Sequence, residues 1–592
     1  MVQKNIFNRT ISNPVVQTFL IYISGGWIVL EMTDYFINNY GLSETLRDVL
    51  LIIMLAGLPL ALFISWYLSR DKKEKEEDLD IAPDKISPNF FSILLKRPWF
   101  SIPGTIIMIL IVLSLIRLIY RQSTDITGSR DQIHSEVSLA VLPFTNYTGN
   151  PEQEWLVSGQ QETLINELSK LSQVKPLRVI SRHTVNSFEN YDKPIPEIAQ
   201  EINVNYLVEA SVLGFSDSIT LQLRLIQAIP EESIVLAQSF TGDIPNIFRL
   251  YSNIATQIAQ KINLDLSQED KEKLQSPRTV NPESYKAYLR GIHHLNMDTP
   301  EDKEKGLEYL HEAVKIDPGD PFAHAALALG YIEIVHGPLG TADDFIKAEA
   351  AANQALKLDT TLAEIYAAMA EVYLYKLWEF DKAERNFIKS LELNPNLAFT
   401  HWHYAWALYL FGRMEEGIIE NELAQKYDPF NPNFTAHLGL LYLHDDRHED
   451  ALREALKSLE IEKDYQMGYY ALGEIYLAMG RIDDAIEAHQ KLVELYPWWK
   501  WALGKTYAIS GHLDEAEIIL NELEKSEVSP FNALGLTILY GALGRMDEAF
   551  KWLAYEPHAA WLPWVAVIPS WSNSLPDDPR FEDFLERLNL PK

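Results

Sequence analysis

Three stretches near the start of the chain are almost entirely apolar and contain no charged residue. They span residues 10–30, 49–69 and 98–116. Each matches the length of about 20 apolar residues that a helix needs to cross the hydrocarbon core of a bilayer. Helices of a globular core usually carry a polar stripe, and these stretches have none. The pattern therefore predicts three transmembrane helices.

The first of these stretches leaves two alternatives open. It contains the polar residues Gln17 and Thr18, so one alternative is that this stretch does not cross the bilayer fully. A cleaved signal peptide is the other alternative, with Lys4 and Arg9 as its basic flank, but no small-x-small cleavage site follows the apolar run.

The basic residues of the short loops predict the orientation of these helices. The first loop contains only Arg47, whereas the second holds Arg70, Lys72, Lys73, Lys75, Lys85, Lys96 and Arg97. We expect residues 1–70 to form a tail and a transmembrane hairpin, 71–97 a basic cytoplasmic loop, 98–120 the third transmembrane helix and 121–136 a linker. This predicts a multi-pass protein of a bacterial inner membrane with a periplasmic C-terminal body. Arg117, Arg121 and Arg130 oppose this orientation.

From residue 137 the pattern changes to short strand-like runs, among them VSLAVLPF, LRVIS and ITLQLRLIQA. Helical periodicity occupies residues 154–171, 195–202 and 244–263 between and after these runs. Two β–α steps followed by a three-stranded meander and a helix predict a small α/β domain with a mixed sheet, at residues 137–270.

The rest of the chain repeats with a period of 34 residues. Leu438-Gly439 recurs as Leu472-Gly473, and Pro429 and Pro497 lie two periods apart. In the unit YYALGEIYLAMGRIDDAIEAHQKLVELYP, small residues allow two helices to approach closely, and Gly480 turns the chain between them. These features match the tetratricopeptide repeat, with repeats expected at residues 282–556 and a C-terminal cap at 557–592. Stacked units of this kind form an all-α superhelix with a concave inner surface.

The α/β segment resembles a known family. LAVLPFTNYTGNPEQEWLVSGQQETLINELSKL, LRVISRHTVNSF and YLVEASVLGF resemble the TolB N-terminal-like (FlgO-like) domain, which often precedes tetratricopeptide repeats in bacterial membrane proteins. The N-terminal hairpin and the closing DDPRFEDFLERLNLP are similar to the same multidomain group. Relatives often carry a winged-helix DNA-binding domain or a nucleotide cyclase domain ahead of the membrane. We expect neither here, because few residues precede the first apolar stretch. The predicted fold class is therefore multidomain, with N-terminal transmembrane helices, a small α/β domain and a C-terminal all-α superhelix.

Charge and composition narrow the range of functions. The chain has 51 Lys and Arg against 83 Asp and Glu, a net charge of −32, and it has no cysteine. The charge disfavours nucleic acid as a partner, because binding to phosphate backbones depends on basic side chains. The absence of cysteine excludes disulfides, thiolate zinc sites and cysteine nucleophiles.

The motifs of common enzymes and cofactor sites are absent or incomplete. Leu503-Gly504-Lys505-Thr506 resembles the end of a phosphate-binding loop, but Trp499 stands where that loop needs glycine. His444 and His448 have a spacing compatible with a metal site, yet they fall at a turn between repeat helices, where we expect solvated side chains. We therefore expect no enzyme, no metal, no cofactor and no evident small-molecule substrate.

The repeat frame places aromatic residues on the inner surface of the superhelix. The positions predicted to line a protein-binding groove are Trp402, Trp406, Tyr409, Tyr470, Glu474, Trp501 and Lys505. Large rigid rings are frequent anchors in protein recognition. The alternative is that several of these rings only fill the interior of the superhelix.

Three hypotheses of function follow. The first is a membrane-anchored extracytoplasmic scaffold that binds proteins or peptides through its repeats and uses the α/β domain as a second contact surface. The alternative is a signal-transducing membrane protein that acts through a cytoplasmic partner at the 71–97 loop. An enzyme is the third.

Overall fold

The computed structural model describes Tyr22 and residues 136–590, apart from 190–192, 216–217, 275–278, 298, 336–340, 527–529 and 556–560. All of the described residues except Tyr22 lie in one compact unit, Thr124–Lys592. This unit is mostly helical, with a small sheet domain followed by a body of helical repeats.

The predicted membrane helices require a correction. Among the residues that the structure describes, no helix is long and apolar enough to cross a bilayer. The longest of them, Pro300–Ile316 and Ala342–Leu358, have 17 residues and carry charged side chains. On this finding we correct the prediction of N-terminal transmembrane helices, of a membrane-embedded chain and of a multi-pass inner-membrane location with a periplasmic body. Apart from Tyr22, the three stretches on which that prediction rested lie outside the described residues.

The sheet domain contains six strands in the order β3-β1-β4-β5-β6, with β2 paired to β4. The strands are β1 (Val137–Val141), β2 (Thr145–Asn146), β3 (Leu177–Val179), β4 (Tyr206–Phe215), β5 (Ser218–Gln227) and β6 (Ser233–Asp243). Strand β1 pairs in parallel with β3 and β4, because helices connect these strands, and the hairpin-connected β4, β5 and β6 are antiparallel. The sheet is thus mixed, and its β6 edge is largely exposed.

Helices of the sheet domain surround this core. They are α1 (Glu154–Ser169), α2 (Arg182–Asn186), α3 (Ile195–Glu201), α4 (Ile247–Lys261) and α5 (Gln268–Leu274). Apolar residues of α1 and α4, including Leu164, Leu168 and Ile254, are fully buried together with strand residues such as Leu139 and Leu207.

The helical body consists of successive antiparallel hairpins. In the described part of the chain, helices α6 to α21 form eight such pairs. Their bounds are α6 (Pro282–Leu295), α7 (Pro300–Ile316), α8 (Pro321–Val335), α9 (Ala342–Leu358), α10 (Ala363–Glu371), α11 (Phe380–Leu393), α12 (Ala398–Leu410), α13 (Met414–Tyr427), α14 (Pro432–His444), α15 (His448–Ile461), α16 (Gln466–Ala478), α17 (Ile482–Leu495), α18 (Lys500–Ile509), α19 (Leu513–Leu523), α20 (Pro530–Ala542) and α21 (Met546–Leu553).

Small residues explain the close pairing within one of these hairpins. A Cβ atom added to Gly473 would lie 2.1 Å from Nε2 of His489, so α16 and α17 pack where only glycine fits. Ala485 has no exposed surface at the same contact. Gly480 adopts a positive φ of 72°, which a turn between helices requires and which glycine accepts without strain.

Hydrogen bonds connect the sheet domain to the repeats. Thr184 Oγ1 donates to Asp428 Oδ1 at 2.6 Å, and the backbone N–H of Thr184 donates to the same oxygen at 3.1 Å. The backbone N–H of Ser181 donates to the carbonyl of Tyr427 at 2.9 Å. Because Thr184 and Asp428 are buried, these bonds hold the end of β3 and helix α2 against the turn after α13.

After the last hairpin the chain returns along the inner surface of the repeats. This closing segment, residues 561–575, contains the short helices α22 (Leu562–Val565) and α23 (Pro569–Ser572), and helix α24 (Arg580–Leu588) follows it. Trp564 stacks on Tyr375 with ring centroids 4.9 Å apart. Trp571 lies edge-on to Trp501 at 5.9 Å. The C-terminal region that the sequence predicted as a cap therefore lies against first helices of several repeats.

Candidate functional site

The inner surface and the closing segment together enclose a cavity of about 520 Å³. Most of its walls come from the first helices of five hairpins, α12, α14, α16, α18 and α20, and from the closing segment. Lys303 of α7 and Glu333 of α8 also line it. These helices contribute to one site because side chains at the inner positions of consecutive repeats lie next to each other.

The structure brings five of the seven predicted groove residues to this cavity. Its lining includes Trp402, Trp406, Tyr470, Glu474 and Trp501. Tyr409 and Lys505 are not part of this lining. Trp402 is half-buried, whereas Trp501 and Lys505 have no exposed surface. Their capacity to bind a partner stays a prediction.

Two of the predicted groove residues form intramolecular hydrogen bonds with the closing segment. The hydroxyl of Tyr409 donates to the carbonyl of Val567 at 2.8 Å. The hydroxyl of Tyr470 accepts a hydrogen bond of 2.7 Å from the indole nitrogen of Trp571. Both contacts hold the closing segment in place, so part of the inner surface is already occupied.

A buried ion pair lies beside the cavity. The ammonium group of Lys505 donates to Oε1 and Oε2 of Glu474 at 2.5 and 2.6 Å. Burial acts to raise the pKa of Glu474, but the charge of Lys505 and its hydrogen bonds hold that pKa below its ordinary value. His489 lies next to the pair, with Nε2 3.7 Å from Glu474 Oε1, and burial lowers its pKa to about 4. Its Nδ1 contacts Thr506 Oγ1 at 2.7 Å.

Neutral imidazoles form part of the wall. Burial lowers the pKa of His437 and of His444 to about 4. His437 Nδ1 lies 2.8 Å from the carbonyl oxygen of Asn433, so Nδ1 carries the proton and Nε2 is left as an acceptor. His444 stacks on Tyr409 at 5.0 Å and lines the cavity. The expectation of a solvated His444 is corrected, because the end of α14 faces the interior of the superhelix.

Several buried indole groups lack an acceptor. Among the described residues, no oxygen or nitrogen accepts from Nε1 of Trp402, Trp406, Trp501 or Trp564. Buried N–H groups are normally paired, so four such groups around one cavity are unusual. Trp564 belongs to the closing segment and was missed in the sequence; its signal was three tryptophans within residues 561–571.

Metal ligands do not converge in this region. Across residues 136–590, gaps excepted, no group of three or more His, Asp or Glu side chains is placed to hold a metal ion.

Comparisons with known proteins match both domains. Residues 135–257 match the family described as HilA/YgeH-like transcriptional regulator, second domain, and residues 468–497 match the tetratricopeptide repeat. The first match covers the segment that resembles the TolB N-terminal-like domain, and that finer assignment stays a prediction. The tetratricopeptide assignment is confirmed.

Curated relatives are similar over part of their length. The putative adenylate cyclase 3 of Rhizobium meliloti is 27% identical over 33% of this chain and 33% of its own length. The transcriptional regulator HilA of Salmonella typhimurium is 23% identical over 49% of this chain and 51% of its own. The chain therefore spans a third of the first relative and about half of the second.

Solved structures are similar to part of this chain. The crystal structure of PilW, a type IV pilus biogenesis factor, shares 19% identity with a TM-score of 0.27, over 41% of this chain and 97% of that one. YrrB, a tetratricopeptide repeat protein with an unusual peptide-binding site, shares 17% identity with a TM-score of 0.22, over 31% and 91%. The chain is thus similar to HilA-like regulators in its α/β domain and contains tetratricopeptide repeats in its helical body.

Proposed function

We propose that this protein is a scaffold that binds a protein or peptide partner through its tetratricopeptide repeats. The observation that carries the proposal is an aromatic rim at the edge of the cavity, formed by Trp402, Tyr465, Tyr496 and Trp498. Trp498 is 38% exposed, and the other three are half-buried. Tryptophan and tyrosine side chains are enriched among the residues that contribute most to binding in protein recognition.

Hydrogen bonds position the rings of this rim. The hydroxyl of Tyr465 donates to Asn433 Oδ1 at 2.9 Å, and the hydroxyl of Tyr496 donates to the carbonyl of Asp464 at 2.8 Å. The rings of Tyr496 and Trp498 meet edge-on at 5.4 Å. A rim that is ordered before binding loses little conformational entropy when a partner arrives.

Charge indicates the chemistry of the partner. The chain has a net charge of −32, and Glu462 is exposed beside the rim. The complementary partner is a segment with an apolar or aromatic anchor flanked by Lys or Arg, because opposite charge speeds association and suppresses wrong partners.

The α/β domain supplies a second contact surface in this proposal. A cavity of about 770 Å³ lies against its sheet, with Phe144, Glu209 and Arg224 in the lining. Tyr147, close to it in the chain, is 62% exposed. The concave, mixed polar and apolar character of this surface supports contact with a protein.

Site-specific crosslinking tests the proposal in the full chain. A photo-crosslinking amino acid replaces Trp498 in cells that produce the protein naturally, and the matched control replaces Ile419, which is exposed on α13. We expect a discrete partner to be captured from position 498 and not from 419, and its capture to be lost in Trp402→Ala. Identical capture from both positions contradicts the proposal.

A regulatory role is a second candidate, because residues 135–257 are similar to a domain of a transcriptional regulator. In this view, binding at the repeats is relayed to the α/β domain through the Thr184–Asp428 contact. Hydrogen exchange at β3 and α2 that changes when the captured partner is added favours this role, and unchanged exchange opposes it. We propose no cyclase activity, since the similarity to the cyclase covers a third of that protein.

A further inference from the structure

The last strand of the sheet has an unpaired edge. In the order β3-β1-β4-β5-β6, strand β6 pairs with β5 along one side, and no other strand of the described chain pairs with its outer side. In the same part of the chain, the backbone groups of residues 234–242 make no hydrogen bond outside the β5–β6 ladder. The N–H and C=O groups that point outward from β6 are therefore available to another strand.

The middle of β6 is accessible from both faces of the sheet. Ala237, Gln238 and Ser239 are consecutive and all exposed, although neighbouring side chains of a strand point to opposite faces. Helix α4 packs near the end of the strand, where an added Cβ at Gly242 would lie 3.1 Å from Leu250. The centre of the edge is thus open to a partner.

Strand β6 lacks most of the features that keep sheet edges from pairing. Edge strands are usually short or bulged, or they carry Lys or Pro. Residues 233–242 contain no charged residue and no proline, in a chain in which 23% of the residues are charged. A bulge leaves Val235 without an opposite residue in β5, but Leu236–Asp243 pair without interruption. A regular and almost uncharged stretch of strand is left for a partner.

The distribution of charge favours a second copy of this chain as that partner. A basic segment finds no acidic side chain within residues 233–242 to attract it. Two copies that each carry a net charge of −32 repel each other wherever their acidic residues meet. In a two-fold dimer the same patch faces itself, so an uncharged strand is a suitable contact between two acidic chains.

Side-chain matching indicates the register of such a pair. With a two-fold axis at Gln238, antiparallel pairing places Leu236 of one copy opposite Phe240 of the other. Moving the axis by one residue in either direction places Gln238 opposite Leu236 or Phe240, and an amide then replaces an apolar partner. The axis at Gln238 also places Asp243 opposite the uncharged Ser233, so no like charges meet.

We propose that this protein forms a two-fold dimer in which the β6 strands of two copies pair antiparallel about Gln238. One sheet then continues through both copies. The dimer is independent of partner binding at the aromatic rim, because the rim lies on the repeats.

Single cysteines test this arrangement in the full chain, which has no cysteine of its own. In Gln238→Cys the two thiols lie opposite each other with Cβ atoms about 4.5–5.5 Å apart, so we expect a disulfide-linked dimer after mild oxidation. The matched control is Gln222→Cys, exposed on β5 inside the sheet, which we expect to remain uncrosslinked. Ala237→Cys and Ser239→Cys should crosslink to each other when mixed more than either does alone. Equal crosslinking at positions 238 and 222 overturns the proposal.

Sedimentation equilibrium measures the dimer without a crosslink. We expect reversible dimers of the unmodified chain and at least tenfold weaker dimerisation of Gln238→Lys, which places two ammonium groups opposite each other. Gln222→Lys is the matched control, with unchanged dimerisation. A chain that is monomeric up to about 100 µM overturns the proposal, and so do dimers that are equally stable in both variants. Crosslinking of Gln238→Cys to a protein other than this chain also overturns it, whereas partner capture from position 498 is unaffected by any of these results.

Discussion

Lys505 Nζ lies 2.6 Å from Glu474 Oε2, and the two side chains are 0% and 3% exposed. They come from α18 and α16, so the pair joins two successive repeats within the core. Removing one partner leaves the other as a buried, uncompensated charge.

We expect Lys505→Met to lower the free energy of unfolding by about 3–5 kcal/mol, because it leaves the buried Glu474 carboxylate without its counter-charge. Urea denaturation measures this change. The matched control is Lys500→Met, which removes a 2.6 Å pair with Glu522 whose members are largely exposed, and we expect it to cost less than about 1 kcal/mol. The double variant Glu474→Gln/Lys505→Met should recover part of the loss. Equal effects at positions 505 and 500 would contradict the buried pair.

The fully buried Trp501 packs between repeats and against the closing segment, and an added Cβ at Gly535 would lie 2.7 Å from its ring. We expect Trp501→Ala to cost about 3–5 kcal/mol, through lost burial and the cavity it leaves. Trp498→Ala is the control at an exposed position, with a change within about 0.5 kcal/mol. Thermal and urea denaturation compare the two variants. A stable Trp501→Ala protein would show that this ring is not part of the core.

The junction between the domains depends on Thr184. Thr184→Val keeps the shape of the side chain but removes the donor to Asp428 and the acceptor for the backbone N–H of Phe430. We expect a loss of about 1–3 kcal/mol, because buried polar groups are left unpaired. Faster hydrogen exchange at β3 and α2 should accompany it. Thr220→Val, which removes an exposed bond to Thr241, is the control, and similar exchange in both variants argues against the junction.

His489 makes stability depend on pH. Burial lowers its pKa to about 4, whereas the unfolded chain has a histidine pKa of about 6.5. Between these values the unfolded state binds a proton that the folded state does not, so stability falls as the pH drops from about 6.5 to 4. We expect His489 to account for roughly 1–3 kcal/mol of this fall.

Urea denaturation between pH 7.5 and 4 measures that slope. His489→Gln should flatten it, and the matched replacement His512→Gln, at an exposed position, should leave it unchanged. A slope that is the same in His489→Gln and in the unmodified protein would rule out His489 as its source.

Local patterns predicted the repeats because the packing of each hairpin is local. The recurring Leu438-Gly439 and Leu472-Gly473 pairs mark the close helix contacts, and Gly473 indeed lies where a Cβ would collide with His489. The strand-like runs after residue 137 likewise predicted a mixed sheet, because helices between strands impose parallel pairing.

Local sequence patterns could not predict the cavity. Its walls depend on contacts such as Tyr409 with Val567, which are 158 residues apart, and no local periodicity encodes them. His444 was misplaced for the same reason, because a turn in one hairpin faces the interior once the hairpins stack. The frame nevertheless selected Trp402, Trp406, Tyr470, Glu474 and Trp501 for the inner surface, where the structure has them.

The closing segment changes how the helical body unfolds. An ordinary repeat array is linear, and its terminal units fray one after another, because each contacts only its neighbours. Here the closing segment contacts distant repeats, because Trp564 stacks on Tyr375 and Trp571 donates a hydrogen bond to Tyr470. The last hairpins cannot detach without also exposing those rings. The repeats are therefore coupled to one another beyond their nearest neighbours, and we expect them to unfold as one cooperative unit.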